Sequence, residues 1–304
     1  MQKVVEFIEN QSSNVCMIGI WGMGGSGKTT TAKAIYNRIH RKFGHVSFVE
    51  NIREACENDY YRGIIHLQKK ILSDVLKTKE KIDSIGLGTN KMETRLRGKR
   101  VFIVLDDVTS SQELKALCGN RAWFGKGSVL IVTTRDVHLL HLLEVDHLCK
   151  TEEMNIDDSL ELFSWHTFRE ASPPKDFSQL SKKVVAYCGG LPLALEVLGS
   201  YLYRRTKPEW ESVLSKLKRI PNDQVHQKLR ISYNGLEDDL KKDIFLDICF
   251  FFIGKDRAYV TEILNGCGLY ADIGISVLIE RSLLKVEKNN KLQMHDLIRD
   301  MGRE

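Results

Sequence analysis

Gly22-Met23-Gly24-Gly25-Ser26-Gly27-Lys28-Thr29 lies between the apolar run Val15-Cys16-Met17-Ile18-Gly19-Ile20 and the helix-forming stretch Thr30-Thr31-Ala32-Lys33-Ala34-Ile35-Tyr36. It satisfies G-x-x-x-x-G-K-[ST] in full, and strand, glycine-rich turn and helix is the order in which a phosphate-binding loop occurs. Glycine reaches positive φ at little cost and has no Cβ to block an anion. The N–H groups of the loop and of the following helix therefore converge on phosphate, where the helix dipole also favours negative charge. Lys28 is expected at the β- and γ-phosphates as a point charge, and Thr29 is expected to offer its hydroxyl to Mg²⁺. Gly22, Gly24, Gly25, Ser26, Gly27 and Thr30 complete the expected binding set. The alternative is an ordinary glycine-rich turn opening a helix, which leaves the complete octapeptide and both flanking elements unexplained.

Working outward, His45-Val46-Ser47-Phe48-Val49-Glu50-Asn51 reads as a second strand, and residues 63–77 as an amphipathic helix whose apolar face is Ile64, Ile65, Leu67, Ile71, Leu72, Val75 and Leu76. Gly86-Leu87-Gly88 marks a loop before a short helix over 91–96. A short helix over residues 1–10 is expected ahead of the first strand. Arg100-Val101-Phe102-Ile103-Val104-Leu105-Asp106-Asp107 is an apolar strand that ends in two carboxylates, at the sheet edge where open α/β folds bind ligands. Asp106 is expected to hold Mg²⁺. Asp107 is expected to orient or deprotonate an attacking water, or else to complete a hydrogen-bond network. Val129-Leu130-Ile131-Val132 leads to Thr133-Thr134-Arg135-Asp136 at the same edge. Arg135 reads in two ways, as a guanidinium that meets a γ-phosphate or as a surface arginine paired with Asp136. His147-Leu148-Cys149-Lys150 supplies a fifth strand. Strands alternating with helices imply a parallel sheet covered on both faces.

The totals agree with a soluble multidomain chain. Its 304 residues exceed what one core usually serves, and 42% hydrophobic with 28% charged residues is ordinary for a globular protein. A net charge of +5 is too small to argue for nucleic acid or membrane. The most apolar window, Ile244 to Ile253, contains Asp247 and falls short of the roughly 20 residues of a membrane span. No signal peptide is visible, since the first residues form an amphipathic pattern without an apolar core segment. Seven cysteines, an odd number without a C-x-x-C pair, suggest buried thiols in a reducing compartment.

After residue 150 helical periodicity takes over. Asp158 to Phe168, Phe177 to Tyr187 and a helix opened by Leu191-Pro192-Leu193-Ala194-Leu195 follow, with proline in the first turn. Pro208 opens another, and Pro221-Asn222-Asp223 separates a last unit. That unit is expected to have three or four helices, including 238–252, 258–264 and 270–281, and a hairpin made by 283–287 and 291–294 around Asn289-Asn290. This is a winged-helix pattern. Its candidate recognition helix carries Arg281 against Asp272 and Glu280, a poor footprint for DNA. Met294-His295-Asp296 closes the unit, and a histidine beside a carboxylate is suited to donating a hydrogen bond to phosphate.

Gly22 to Thr29, Val101 to Val108, Gly127 to Arg135, Gly190-Leu191-Pro192-Leu193-Ala194-Leu195 and Met294-His295-Asp296 together resemble the P-loop, kinase-2, sensor, GLPLAL and MHD motifs of the NB-ARC module, the nucleotide switch of plant intracellular immune receptors and a branch of the STAND NTPases. Phe48-Val49-Glu50-Asn51-Ile52-Arg53-Glu54 and Leu105-Asp106-Asp107-Val108 are similar to the branch that carries a TIR domain. The resemblance implies an α/β P-loop NTPase parallel sheet over 1–150, followed by an all-α helical domain over 151–221 and a winged-helix domain over 222–304. It implies ADP or ATP with Mg²⁺ as ligands, ADP bridging the three parts in an off state. Pro192 is then expected against the base or ribose, His295 at the β-phosphate with Asp296 orienting it, and Arg135 at the γ-phosphate of an ATP-bound on state. TIR and leucine-rich-repeat domains of a longer receptor, a homo-oligomer of the ATP form, and a cytoplasmic location, with the nucleus as a second compartment, belong to the same expectation. The family's adenine-contacting segment is expected upstream of Met1. Two rivals stand beside the switch: a Mg²⁺-dependent turnover ATPase that uses Asp106 and Asp107, and, with less support, a winged-helix regulator that binds DNA. As an enzyme the chain is expected to be at most a slow ATPase.

Overall fold

A computed structural model describes residues 2–10, 14–217, 223–236 and 238–303, and divides the chain into two compact units: residues 1–22 with 28–151, and residues 23–27 with 152–304. Among the described residues no helix is long and apolar enough to cross a membrane. All seven cysteines are free; Cys16, Cys118, Cys188 and Cys249 are buried as expected, Cys56 and Cys149 are half-buried, and Cys267 is exposed.

In the first unit the apolar runs become a five-stranded parallel sheet of β1 (Cys16–Trp21), β2 (His45–Val49), β3 (Val101–Val108), β4 (Val129–Thr134) and β5 (His147–Lys150), in the order β2-β3-β4-β1-β5. Parallel strands need covered faces, and side-chain alternation supplies one set for each. Cys16, Ile18 and Ile20, with Phe102, Val104, Val129 and Ile131, pack with α1 (Gln2–Asn10) and α2 (Lys28–Ile39). Met17, Ile103, Leu105, Leu130 and Val132 pack on the opposite layer. That layer draws on α3 (Ile52–Glu57), α4 (Tyr60–Leu76), α5 (Ile85–Leu96), α6 (Ser111–Cys118) and α7 (Val137–Leu142).

Three details of this unit differ from the sequence reading. The glycines of Gly86-Leu87-Gly88 lie inside α5, which starts behind a Ser84 cap that accepts from the Leu87 N–H. A Cβ on Gly88 would stand 1.8 Å from the buried Gln68 Oε1, so the glycine serves close helix packing and does not mark a loop. β2 stops at Val49, because Asn51 takes a left-handed backbone (φ 55°) and starts the unforeseen helix α3. β3 does not end at Asp107. It runs on to Val108 through a register shift against β4, with Asp107 itself at φ 58°.

The second unit is helical: α8 (Ile156–Thr167), α9 (Ser178–Cys188), α10 (Pro192–Leu202), α11 (Lys207–Leu217), α12 (Asp223–Asn234), α13 (Asp239–Asp247), α14 (Arg257–Gly266), α15 (Ala271–Glu280) and α16 (Asp296–Arg303). Trp210 is 1% exposed and organises its first half, meeting the rings of Phe163, Phe168 and Phe177. The predicted helix over 238–252 is α13 followed by a π turn at Ile248–Phe252. Two short antiparallel strands, β6 (Lys285–Val286) and β7 (Leu292–Gln293), form the expected hairpin, and Asn290 takes the positive φ (63°) of its turn. The last part has more helices than the three or four expected, since α12 and α16 are added. The predicted break at Pro221-Asn222 lies outside the described residues, as does the side chain of Asp296.

Candidate nucleotide-binding site

In the first unit β1 ends one residue before Gly22, and α2 begins at Lys28. The Lys28 ammonium is 7% exposed and donates to the Gly22 carbonyl oxygen at 2.9 Å. Burial lowers its pKa to about 7, and the Arg135 charge pushes the same way against the weaker pull of Asp107 and Asp106. Thr29, one residue on, donates through Oγ1 to Asp106 at 2.9 Å. Thr30 is exposed on the same first turn.

Asp106 is fully buried and accepts from Thr29, from Thr133 Oγ1 at 2.6 Å and from the backbone N–H of Asn51. Burial raises its pKa, the Asp107 charge adds to that, and the three donors offset only part of the rise. A hydroxyl and a carboxylate side by side are hard oxygen donors of the kind Mg²⁺ takes in ones and twos beside substrate phosphates, so these residues fit that ion. Among the described residues no cluster of three or more histidine, cysteine or acidic side chains is set to hold a metal without such outside ligands.

The bulge turns the two neighbouring carboxylates to different partners. Asp107 meets Arg53 Nε through Oδ2 at 2.9 Å and Arg135 Nε through Oδ1 at 3.5 Å, while its own N–H donates to Thr133 Oγ1 at 2.9 Å. Burial alone would raise the pKa of Asp107, but Arg135 and then Arg53 outweigh it and hold the group below the usual carboxylate range. Arg135 pairs with Asp107, and Asp136 caps α7 by accepting from the His138 N–H. Lys28, Thr29, Asp106, Asp107 and Arg135 therefore converge at the C-terminal edge of the sheet.

In the second unit the loop residues Met23–Gly27 lie against the start of α10. The Leu193 N–H donates to the Gly25 carbonyl oxygen at 3.2 Å, and Met23 joins the helical core. Gly25 has φ +77°, and a Cβ there would stand 2.6 Å from Leu193 Cβ; Gly27 has φ +87°, with Pro192 Cγ 3.8 Å from where its Cβ would be. Gly24 is buried and Ser26 half-buried. Gly189 and Gly190, both at positive φ, end α9, and Pro192 opens α10 at its first position. His295 Nδ1 accepts from the Leu297 N–H at 3.1 Å, which leaves the Nε2–H to donate to the Gly189 carbonyl oxygen at 3.1 Å. Pro192, His295 and the loop glycines are thus placed within one unit.

Sequence reasoning missed Arg53, Thr133 and Gly189 as members of these clusters. Arg53 lies in the stretch that carried the TIR-type resemblance, but its partner is 54 residues away, and no periodicity links them.

Comparison with known proteins gives two family matches. The NB-ARC domain model matches residues 1–172, and a model described as the Roq1-like disease resistance protein winged-helix domain matches residues 238–304. Disease resistance protein RUN1 of Vitis rotundifolia is 43% identical over 304 residues, covering 99% of this chain and 22% of the relative. TMV resistance protein N of Nicotiana glutinosa is 38% identical over 310 residues, covering 100% of this chain and 26% of the relative. The chain thus spans about a quarter or less of the length of these relatives. A Walker-type ATPase of Pyrococcus abyssi shares the fold, with a TM-score of 0.64 at 15% identity over 100% of this chain and 94% of that one. With its phosphate-loop residues placed at the sheet edge and the family model matching more than half of its length, the chain belongs to the NB-ARC family.

Proposed function

We propose that the chain is the nucleotide-operated switch of a plant intracellular immune receptor, off with ADP and on with ATP, within a longer cytoplasmic protein that also carries TIR and leucine-rich-repeat domains. The observation that carries the reading is the convergence of Lys28, the Thr29–Asp106 pair and Arg135 on one sheet edge. Lys28 binds the terminal phosphates, the loop N–H groups take the remaining oxygens, and Arg135 meets the γ-phosphate. Thr29 and Asp106 would hold Mg²⁺, which would supply charge neutralisation to the phosphates. Pro192 and His295 are the proposed further nucleotide contacts, and Asp296 orients the histidine. An ATP-bound homo-oligomer is part of the same reading.

Asp107 favours a switch over a turnover ATPase. A carboxylate whose pKa two arginines lower is a weak proton acceptor, whereas a general base works best near the operating pH. Its geometry suits reporting charge better than activating water. A switch needs only a differential affinity of a few kcal/mol between its two states.

The test is a pair of variants. Lys28→Arg replaces a compact ammonium by a bulkier planar group in a buried setting and is expected to weaken ADP and ATP alike by at least about tenfold. Asp296→Val is expected to shorten ADP retention. Normal affinity in the first variant, unchanged retention in the second, or steady-state phosphate release at many turnovers per minute would each count against the switch.

A further inference from the structure

The net charge of +5 averages over an uneven distribution. In the first unit the C-terminal edge of the sheet carries the candidate nucleotide site, and the loops that enter β2, β3 and β4 make up the opposite edge. Those loops, residues 40–44, 97–100 and 125–128, supply Arg41, Lys42, Lys99, Arg100 and Lys126 and contain no acidic residue. Direct contacts join them into one surface. The Arg100 guanidinium lies 4.7 Å from the centre of the Phe43 ring, and its Nε–H donates to the Gly127 carbonyl oxygen at 3.1 Å. The Lys99 carbonyl oxygen accepts from the Gly125 N–H at 2.8 Å. His45 Nδ1–H donates to the Val75 carbonyl oxygen at 2.7 Å, which brings Lys77, at the end of α4, to the start of β2. Lys99 is half-buried and the other five cations are exposed. A Cβ on Gly44 or Gly98 would meet no atom within 4 Å, so these loops stand open.

Local groups absorb only part of this charge. The 3₁₀ turn His40–Lys42 that follows α2, together with α4 and α5, ends at this edge, and each helical C-terminus counts as about half a negative charge. Three such ends leave most of six positive charges uncompensated. Neighbouring carboxylates are engaged with other cations: Glu80 with Lys91 and Arg95, Glu93 with Arg97, and Asp74 with Lys70. A partner of this edge is therefore anionic, and three features select its kind. None of the exposed large hydrophobic side chains falls in the three loops, so the apolar anchors of a protein interface are missing. Phe43 is the one benzenoid ring there and Arg100 covers it, which leaves nucleic-acid bases no platform to stack on. The cations run across the starts of three adjacent strands, about 4.8 Å from one strand to the next, as a row that a broad anionic surface can meet at once. We propose that this edge docks the chain on an anionic membrane through the headgroups of acidic lipids. Clusters of about four to eight lysines and arginines bind such headgroups, each charge adding on the order of fivefold. β4 is six residues long, about 20 Å, so docking through its start leaves its other end clear of the lipid. The proposal is independent of the nucleotide reading.

The experiment floats the chain with vesicles of phosphatidylcholine alone and with vesicles in which roughly a third of the lipid is phosphatidylserine, at about 0.15 M salt. The wild-type chain is expected to partition onto the acidic vesicles only, and to leave them as salt is raised. Joint substitution Arg41→Gln, Lys99→Gln and Lys126→Gln is expected to lower that partition about a hundredfold. The control Lys182→Gln, Lys183→Gln and Lys216→Gln removes the same charge from exposed lysines of the second unit and is expected to change it by less than about threefold. If the first triple variant loses its cooperative melt, Lys126→Gln alone decides, with an expected loss of about fivefold. A wild-type chain that ignores the acidic vesicles, or an equal loss in the two triple variants, overturns the proposal. So does retention on duplex DNA in place of the vesicles, abolished by the same three substitutions, which would assign the edge to nucleic acid.

Discussion

Raising the pH from 7.0 to 8.5 should weaken nucleotide binding by an amount that the burial of Lys28 sets. In the ligand-free chain that ammonium titrates near 7, well below its ordinary value of 10.5, because burial and Arg135 disfavour its charge. Phosphate beside the group restores the charged form, so binding near and above pH 7 takes up a proton. With a bound-state value back near 10.5, the ligand-free lysine is about half charged at pH 7.0 and ~3% charged at pH 8.5. The affinity then falls about 16-fold over that interval, or ~1.6 kcal/mol. The stability of the ligand-free chain moves the other way. Between pH 7 and 10.5 the unfolded chain holds a proton on Lys28 that the folded chain has lost, so stability rises with pH across that window. Calorimetric titration of ADP at pH 8.5 in two buffers of different ionisation enthalpy reads the proton directly. Uptake of close to one proton per ADP is expected, and Lys28→Arg, which stays charged throughout, should abolish it. No uptake in the wild-type chain, or equal uptake in the arginine variant, would refute the reasoning.

Two further outcomes follow from packing. Gly25→Ala sets a Cβ 2.6 Å from Leu193 Cβ at a φ of +77° that suits only glycine, and should cost about 1–3 kcal/mol while loosening ADP; an unchanged melting temperature and ADP affinity would contradict the packing described for the loop. Trp210→Ala removes a ring that is 1% exposed and meets three other rings, and should cost about 3–5 kcal/mol in urea titration, where less than ~1 kcal/mol would show that the helical core is not built on it.

Where the chain repeats a physical pattern, its sequence was legible. Apolar runs bounded by polar turns became β1, β3 and β4 of the parallel sheet, and the complete octapeptide between β1 and α2 marked Lys28 and Thr29. The asparagine pair marked its hairpin because one of the two, Asn290, takes the left-handed turn. Glycine misled at Gly86 and Gly88, since a helix packed against Gln68 needs a missing Cβ just as a loop needs a missing constraint. Two short helices, α3 and α16, span only one or two turns, too few for periodicity to register.

Long-range polar pairing was the least legible part of the site. The β3 bulge separates two adjacent aspartates into different roles, one with the hydroxyls of Thr29 and Thr133, the other with Arg53 and Arg135. A run of Leu-Asp-Asp-Val contains nothing that says where the register slips. His295 shows the same limit: its bond to the Gly189 carbonyl joins positions 106 residues apart, through backbone rather than through a complementary side chain.

The most direct test of the central claim is to purify the chain, denature it, and identify by chromatography what nucleotide it releases. A switch held by Lys28 and its neighbours should release close to one ADP per chain, and Lys28→Arg should release markedly less. A wild-type chain that carries no nucleotide and binds none when ADP is added would contradict the account.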